Sequence, residues 1–597
     1  MALADSDLLR QADPERLHRI RHSASHIMAM AVQKLFPETR VTIGPAIENG
    51  FYYDFDRQEP FTPQDLEKIE QEMRRIVKQK LPMVREEIPR EQMRERLVEL
   101  NEPYKLEIFE GFDPDVPVTL YRTGDWWDMC SGPHIENTAE IDPKALKLRS
   151  VAGAYWRGDE KRPMLQRIYG TAWETPEQLA EFLRREEEAK KRDHRKLGRE
   201  LGLFTFSDLV GPGLPLWTPR GALLRFTLEE FLRKEQTRRG YQQVVTPHIA
   251  RVDLFKTSGH WFNYKDDMFP LMSTSDDPNS EDGFVLKPMN CPFHIQIYKS
   301  ELRSYRDLPI RLAEFGTVYR YEKSGELGGL TRVRGFTQDD SHLFVTPAQL
   351  DDEFRKVVDL IQFVFRALQL GDSFSARLSF REPGSDKYIG SEEAWQMAEG
   401  AIERAARELG LDYSIARGEA AFYGPKLDFI FRDALGREWQ LGTVQVDYTL
   451  PERFELEYVA EDSSRQRPVM IHRAPFGSLE RLTAILIEHY AGDFPLWLAP
   501  EQVRILPVGE SYLGYARSLQ EQLMATDVRV EVDSSNERLG KKIRNSETAK
   551  IPVMLVVGEK EAAGGTVSVR SRADGDLGSM STSEIVQHVT NRIRERR

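Results

Sequence analysis

The chain runs to 597 residues with a net charge of −13, and 40% of it is hydrophobic and 30% charged. One core cannot serve that length, so three or four domains are expected, and no window approaches eighteen uninterrupted apolar residues, which argues against a membrane span. Two cysteines in the whole sequence exclude a disulfide framework and suit a reducing cytoplasm, while the acidic balance argues against non-specific coating of DNA and leaves room for a local basic face toward RNA.

The opening MALADSDLLRQADPERLHRIRHS has no apolar stretch of the secretory kind. Residues 14–37 predict a helix: Pro14 suits a first turn, and Leu17, Ile20, Ile27, Met28, Ala31 and Leu35 recur at helical spacing before Pro37. VTIGPAIENGFYYDF then predicts strands joined by Gly-Pro and Asn-Gly turns. A second amphipathic helix follows Thr62, and mixed helices and hairpin strands continue to about Trp173, an α+β domain. Residues 176–200 change to one charged helix with few apolar positions, expected to be a solvated spacer with a basic second half. From Phe204 a turn, a long helix and a strand open a new domain, in which residues 306–345 and 420–450 are rich in strand signals. The long helices between them predict a large antiparallel sheet with helices rather than a βαβ array. Past Pro500 the order β-α-β-α-β predicts a small α/β domain.

Three groups of residues carry chemistry. HSASH puts His22 and His26 four apart on one helix face, and DMCSGPH puts Cys130 four before His134. Together they offer four nitrogen and sulfur ligands to zinc, and they equally suit activation of a water without metal, since imidazole titrates near neutrality. KPMNCPFH sets Cys291 three before His294, an incomplete zinc site that only distant histidines would complete, such as His342 in QDDSH or His472 in VMIHR. A buried, unreactive thiol suits Cys291 as well. The third group is basic. VYRYE places Arg320 and Glu322 on one side of a strand, TRVRGF adds Arg332, Arg334 and Phe336, and GSLERL puts Arg481 at the start of a helix. Such arginines hold a triphosphate through charge-assisted pairs while a phenylalanine stacks on a purine, although any one of them alone suits a surface salt bridge. No GxxxxGK[ST] or GxGxxG stands at a strand–helix junction, so P-loop and Rossmann sites have no support.

These strings match a known pattern. GYQQVVTP with Pro247, VYRYE and GSLERL resemble motifs 1, 2 and 3 of the class II aminoacyl-tRNA synthetases. Within that class, IGPAIENGFYYDF, DMCSGPH, SGHWFNYKDDMF, KPMNCPFH, RVRGFTQDDSH, AFYGPK, QLGTVQVDY and VMIHRAPFGSLER resemble the threonyl-tRNA synthetase family of bacterial type, from about Arg19 to the C-terminus. The resemblance implies ATP-dependent attachment of L-threonine to threonine tRNA through threonyl-adenylate. It implies a multidomain α+β chain: an N-terminal α+β editing domain over 1–174, a linker helix over 175–200, a class II antiparallel-sheet catalytic domain over 201–498 and a C-terminal α/β anticodon-binding domain over 499–597. A cytoplasmic homodimer joined through motif 1, with no membrane partner, is implied as well.

Residue by residue, the resemblance implies that Arg320 binds the α-phosphate and stabilises charge in the transition state, Glu322 contacts the adenine amino group and Phe336 stacks on the base. Arg332 and Arg481 would hold the γ-phosphate, with Mg2+ bridging phosphate oxygens. One zinc per subunit would fall to Cys291, His342 and His472, with His294 outside the set. Gln338, Asp340, Tyr423 and Gln445 would line the amino-acid pocket, Asp340 accepting the proton of the substrate hydroxyl. A site built for a hydroxyl rejects valine, but serine differs by one methyl, worth about 1–3 kcal/mol of discrimination. A second, hydrolytic sieve is therefore expected, and His22, His26, Lys105, Asp128, Cys130 and His134 match the family's editing pocket for seryl-tRNA. Water activation without zinc is expected there, although the same ligand pattern carries metal in alanyl editing domains. Asn536, Glu561 and Arg570 match base-contacting positions of the anticodon domain. The small ubiquitin-like domain that bacterial members carry before the editing domain is expected to be missing, since His22 arrives almost at once.

Overall fold

The structure, a computed structural model, describes residues 7–9, 12–113, 116–159, 161–277, 279–370, 374–433 and 437–596; of the acidic opening, residues 1–6 and 10–11 lie outside them. The chain divides into two compact units, Met1–Glu188 and Ala189–Arg597.

In the first unit, helix α1 (Pro14–Leu35) begins where the Asp13 side chain accepts the backbone N–H groups of Glu15 and Arg16, with Pro14 in the first turn. Its apolar face, including Ile20, Ala24, Ile27 and Met28, packs with Phe51, Tyr53 and Phe55 of strand β1 (Gly50–Asp56). Helix α2 (Pro63–Lys78) starts in a reciprocal cap between Thr62 and Asp65 and adds Ile69 and Met73 to that core. A second antiparallel sheet is formed by β2 (Met83–Ile88), β3 (Val118–Thr123) and β4 (Trp126–Met129). Helix α3 (Pro103–Glu110) lies between β2 and β3 in the chain. β5 (Leu146–Tyr155) and β6 (Met164–Ala172) complete the first sheet, with β6 between β1 and β5.

The expected single charged helix over 176–200 is two helices, α4 (Pro176–Arg192) and α5 (His194–Glu200), parted at Asp193, whose side chain caps the second. Nor is all of it a solvated spacer: His194 and Leu197 are buried, because α5 carries an apolar position and a histidine toward the second unit's core.

That core lies under eight strands. Helix α6 (Pro219–Arg238) precedes β7 (Gln242–Gln243), and helix α7 (Cys291–Lys299) precedes the long hairpin of β8 (Ile310–Tyr319) and β9 (Gly335–Val345). Next come helix α8 (Leu350–Ala367), β10 (Phe374–Phe380), helix α9 (Glu392–Glu408), β11 (Tyr413–Arg417), β12 (Lys426–Arg432), β13 (Glu438–Asp447), β14 (Val469–Ala474) and helix α10 (Leu479–His489). The sheet order is β7-β8-β9-β14-β13-β12-β10-β11, antiparallel except at its two edge pairs. Helices α6, α8, α9 and α10 pack their apolar stripes on one face, meeting Leu343, Leu378, Phe429, Val444 and Ile471. The sheet's opposite face carries the candidate site.

One further expectation is corrected. Arg320 and Glu322 do not share a strand: the β8–β9 ladder ends at Tyr319 opposite Gly335, and the Glu322 N–H turns back to the Arg320 carbonyl. The C-terminal β-α-β-α-β run does form, as β15 (Val503–Pro507), β16 (Val530–Val532) and β17 (Val553–Val557) in parallel. An antiparallel hairpin of β18 (Thr566–Ser571) and β19 (Gly575–Ser581) extends it, giving a mixed sheet in the order β16-β15-β17-β18-β19.

Candidate functional site

β14 lies between β9 and β13, so His472 stands opposite His342 on one side and opposite Gln445 on the other. Alternation along β9 turns Phe336, Gln338, Asp340 and His342 to one face, and all four line a cavity of about 430 Å3. Cys291, in the first turn of α7, opens on the same cavity. Its sulfur and one ring nitrogen from each of His342 and His472 lie within 4.8 Å of one another, all three residues being buried. His472 Nε2 is 2.8 Å from Asp447 Oδ2, and the other Asp447 oxygen accepts the backbone N–H groups of Thr449 and Leu450. His342 Nδ1 is 2.8 Å from His294 Nδ1, so His294 stands behind His342 rather than within the group of three. Burial pushes the Cys291 thiol well above its ordinary range, helped by Asp340 and Asp447, and holds His342 well below its own. A neutral imidazole and a thiol that needs a nearby cation to ionise suit zinc, and the donor set fits it.

Beside this group, Asn290 Nδ2 donates to Asp340 over 3.0 Å. The Tyr423 hydroxyl donates to Gln445 over 2.9 Å, and the Tyr423 ring stacks on His472 at 5.1 Å. Gln338 pairs through its backbone with Ser478, whose hydroxyl accepts the Arg481 N–H at the start of α10. Arg481 Nε donates to the Thr331 carbonyl over 3.1 Å, and Arg332 Nε donates to Glu322 over 2.9 Å. The Arg320 guanidinium sits 5.0 Å from the Phe336 ring centre, and its buried Nε has no partner among the described residues. Burial, then Arg320 and Arg332, lower the Arg481 pKa. Three guanidiniums that crowd one another, one with an unspent buried donor, make a site for a polyanion. Every residue assigned above to ATP, threonine or zinc lines this one cavity.

Asn290, Asp447 and His294 were not singled out for these roles. Asn290 and Asp447 stand in the strings KPMNCPFH and QLGTVQVDY, but they act on other side chains, and periodicity carries no signal for that.

The first unit gathers the other histidines. α1 presents His22 and His26 one turn apart, and the segment after β4 brings Cys130 and His134 against them. Cys130 Sγ is 3.4 Å from both His22 Nε2 and His134 Nε2, and the rings of His22 and His134 stack at 4.1 Å. All four ligand atoms lie within 4.8 Å of one another. His22 Nδ1 is 3.1 Å from the Pro133 carbonyl, which fixes it as the donor and leaves Nε2 as an acceptor. Asp128 Oδ1 pairs with Lys105 Nζ at 2.6 Å, while its Oδ2 accepts the Tyr53 hydroxyl at 2.7 Å and lies 3.7 Å from His26. Burial lowers all three histidines and raises the Cys130 thiol to about 11. The three imidazoles are thus neutral at physiological pH, each with a free nitrogen lone pair, and Cys130 stays a thiol. Tyr53 stands in the string FYYDF, which by its pattern predicts only a strand.

The anticodon candidates are less convergent. Arg570 is exposed on β18. Glu561 accepts the Gly558 N–H and the Ser568 hydroxyl, tying the helix Glu559–Gly564 to β18. Asn536 is exposed in the loop after β16.

Residues 272–490 match the family described as tRNA synthetase class II core domain (G, H, P, S and T), and residues 502–592 match the anticodon binding domain. Residues 118–169 match the threonyl and alanyl tRNA synthetase second additional domain. The chain is 79% identical over 594 residues to a threonine–tRNA ligase of Gloeobacter violaceus, covering 99% of this chain and 95% of that one. It is 69% identical over 592 residues to that of Thermosynechococcus vestitus, covering 99% and 97%. Among solved structures, it is similar to the RNA binding domain of threonyl-tRNA synthetase from Cryptosporidium parvum, with a TM-score of 0.63 and 41% identity, over 67% of this chain and 98% of that chain.

Proposed function

The chain belongs to the threonine–tRNA ligase family of class II aminoacyl-tRNA synthetases, and from that premise we propose a division of labour among its residues. As a threonine–tRNA ligase it uses ATP, with its Mg2+, to activate L-threonine as an adenylate and esterify it to tRNA; its first unit carries the additional domain associated with hydrolytic editing. In our assignment Arg320 neutralises the α-phosphate as the carboxylate attacks, Arg332 and Arg481 hold the γ-phosphate, Phe336 stacks on adenine and Glu322 accepts from its amino group. Each supplies position and charge rather than a covalent step.

Cys291, His342 and His472 would hold one zinc, which when bound offers open coordination to the amino and hydroxyl groups of threonine. Asp340, steadied by Asn290, accepts a hydrogen bond from that hydroxyl, with Gln338, Tyr423 and Gln445 closing the pocket. What supports this reading is one observation: a thiol, two imidazoles and three arginines open on a single cavity of about 430 Å3. Its test is formation of threonyl-tRNA with zinc counted per chain; protein that binds one zinc yet forms no threonyl-tRNA would sink it.

Serine escapes a hydroxyl test, so we assign its removal to the first unit. His22 Nε2 takes a proton from water, the His22 ring being held by the Pro133 carbonyl, while His26, Cys130 and His134 order that water and Lys105 with Asp128 holds the ester. No zinc is assigned there. Asn536, Glu561 and Arg570 are proposed anticodon contacts within a domain over 499–597. A cytoplasmic homodimer is also proposed: Val245 is 95% exposed, with Leu223, Phe226 and Ile249 exposed nearby in the chain, and a second copy of this apolar face would cover them. No described helix is long and apolar enough to cross a membrane.

A further inference from the structure

Cys291 and His294 stand one turn apart on α7, so both project from the same helix face toward β9. His294 is fully buried, with Nδ1 2.8 Å from His342 Nδ1 and Nε2 3.2 Å from Glu314 Oε1. Glu314, on β8, is met from every other side by donors. The Thr246 N–H donates to one oxygen over 3.1 Å and the Thr246 hydroxyl to the other over 2.7 Å. That hydroxyl cannot point elsewhere, because Lys287 Nζ donates to it over 2.8 Å; the same ammonium lies 3.7 Å from the carboxylate.

From these contacts we infer that Glu314 and His294 are positioning residues, a relay of fixed protons that presents His342 Nε2 as a lone pair to the metal. Glu314, surrounded by donors, acts only as acceptor, so His294 Nε2 carries a proton toward it. A neutral imidazole then has Nδ1 as acceptor, and His342 Nδ1 must donate to it. The remaining nitrogen of His342, Nε2, lies 3.8 Å from Asp340 Oδ1 and is left by this relay as an unprotonated donor atom for the group formed with Cys291 and His472. Metal-bound histidines ordinarily give their second N–H to a carboxylate or carbonyl; here one imidazole is inserted between ligand and carboxylate. The Cys-x-x-His of α7 thereby acquires a physical meaning: one residue supplies a ligand and the other sets the tautomer of a ligand on the sheet.

The inference rests on the zinc reading of this cavity, and the test separates the two. Glu314→Gln keeps volume and shape. Its carbonyl oxygen must still face the Thr246 N–H, which turns the amide NH2 toward His294 Nε2 and inverts the whole relay. Zinc affinity of the full-length protein, measured by competition with a chelator, is expected to fall about 10–100-fold in Glu314→Gln and in His294→Leu. His294→Gln, whose amide can again accept from His342 and donate to Glu314, is expected to recover most of that loss. With cobalt replacing zinc, each variant should show the sulfur-to-cobalt absorption of the full ligand set once saturated, reached only at higher metal concentration. Wild-type affinity in Glu314→Gln would overturn the relay, and that variant decides alone should His294→Leu fail to fold. A wild type that binds no zinc, or a Cys291→Ser variant that keeps it, would overturn the metal reading instead.

Discussion

His342 and His472 face each other across paired antiparallel strands, their ring centroids 4.6 Å apart, and neither ring is free to turn. His294 holds one and Asp447 the other, each at 2.8 Å. Two locked imidazoles leave the third donor as the variable element, so Cys291→Ser is expected to lose zinc while the fold persists. Threonine-dependent exchange of pyrophosphate into ATP should fall about 10²–10³-fold, the scale for losing one preorganised contact to the reacting group. Metal analysis beside the exchange rate checks it; full activity without metal would refute the assignment.

The first unit should fail differently. His22→Ala removes the one ring whose Nδ1 contacts the Pro133 carbonyl, which leaves Nε2 as an acceptor. Hydrolysis of seryl-tRNA is expected to drop about 10²–10⁴-fold, the usual weight of a general base, with threonine activation unchanged. Accumulation of seryl-tRNA measures the first and pyrophosphate exchange the second. Loss of adenylate formation in this variant would show that the two sites are not separate.

How much of this was legible beforehand differs by level. Alternation along β9 turns Phe336, Gln338, Asp340 and His342 into one cavity, although the family resemblance, not periodicity, had singled out Gln338 and Asp340. The same rule failed at Glu322, because the ladder ends at Tyr319 and a backbone turn replaces alternation. Charge misled at 176–200: α5 is rich in charged residues, yet His194 is buried through two specific hydrogen bonds that composition does not record. Residues that meet across a hundred or more positions, such as Cys130 with His22, left only the hint that both cysteines have histidine neighbours.

Neutral buried histidines give the first unit an acid limit. Burial holds His26 and His134 below their ordinary pKa of 6.5. Above 6.5 both folded and unfolded chains carry them neutral and stability is complete. As pH falls below it, the unfolded chain gains protons that the folded cluster refuses, so stability is lost by about 1.4 kcal/mol per pH unit for each such group. Thermal melts between pH 7.5 and pH 5 should shift downward for this unit, and His26→Gln should flatten the slope. A slope in His26→Gln as steep as that of the wild type would contradict the neutral cluster.

His194 joins three parts of the catalytic unit that sequence keeps far apart. Its Nδ1 is 2.7 Å from Glu488 on α10, and its Nε2 accepts the Leu330 N–H over 3.0 Å. One residue later, the Thr331 carbonyl accepts from Arg481, and Arg332 follows. The turn is pressed so closely on this ring that a Cβ at Gly329 would come within 2.3 Å of Nε2. Removing the ring in His194→Ala leaves the buried Leu330 N–H without its acceptor, while Glu488 Oε1 keeps the backbone N–H of residue 194, a cost of about 1–3 kcal/mol. The turn bearing Arg332 should then loosen, raising KM for ATP several-fold while zinc content and KM for threonine hold. His194→Gln, able to donate to Glu488 or accept from Leu330 but not to span both, should fall between. Equal KM values for ATP in wild type and His194→Ala would mean that the turn is held without this ring.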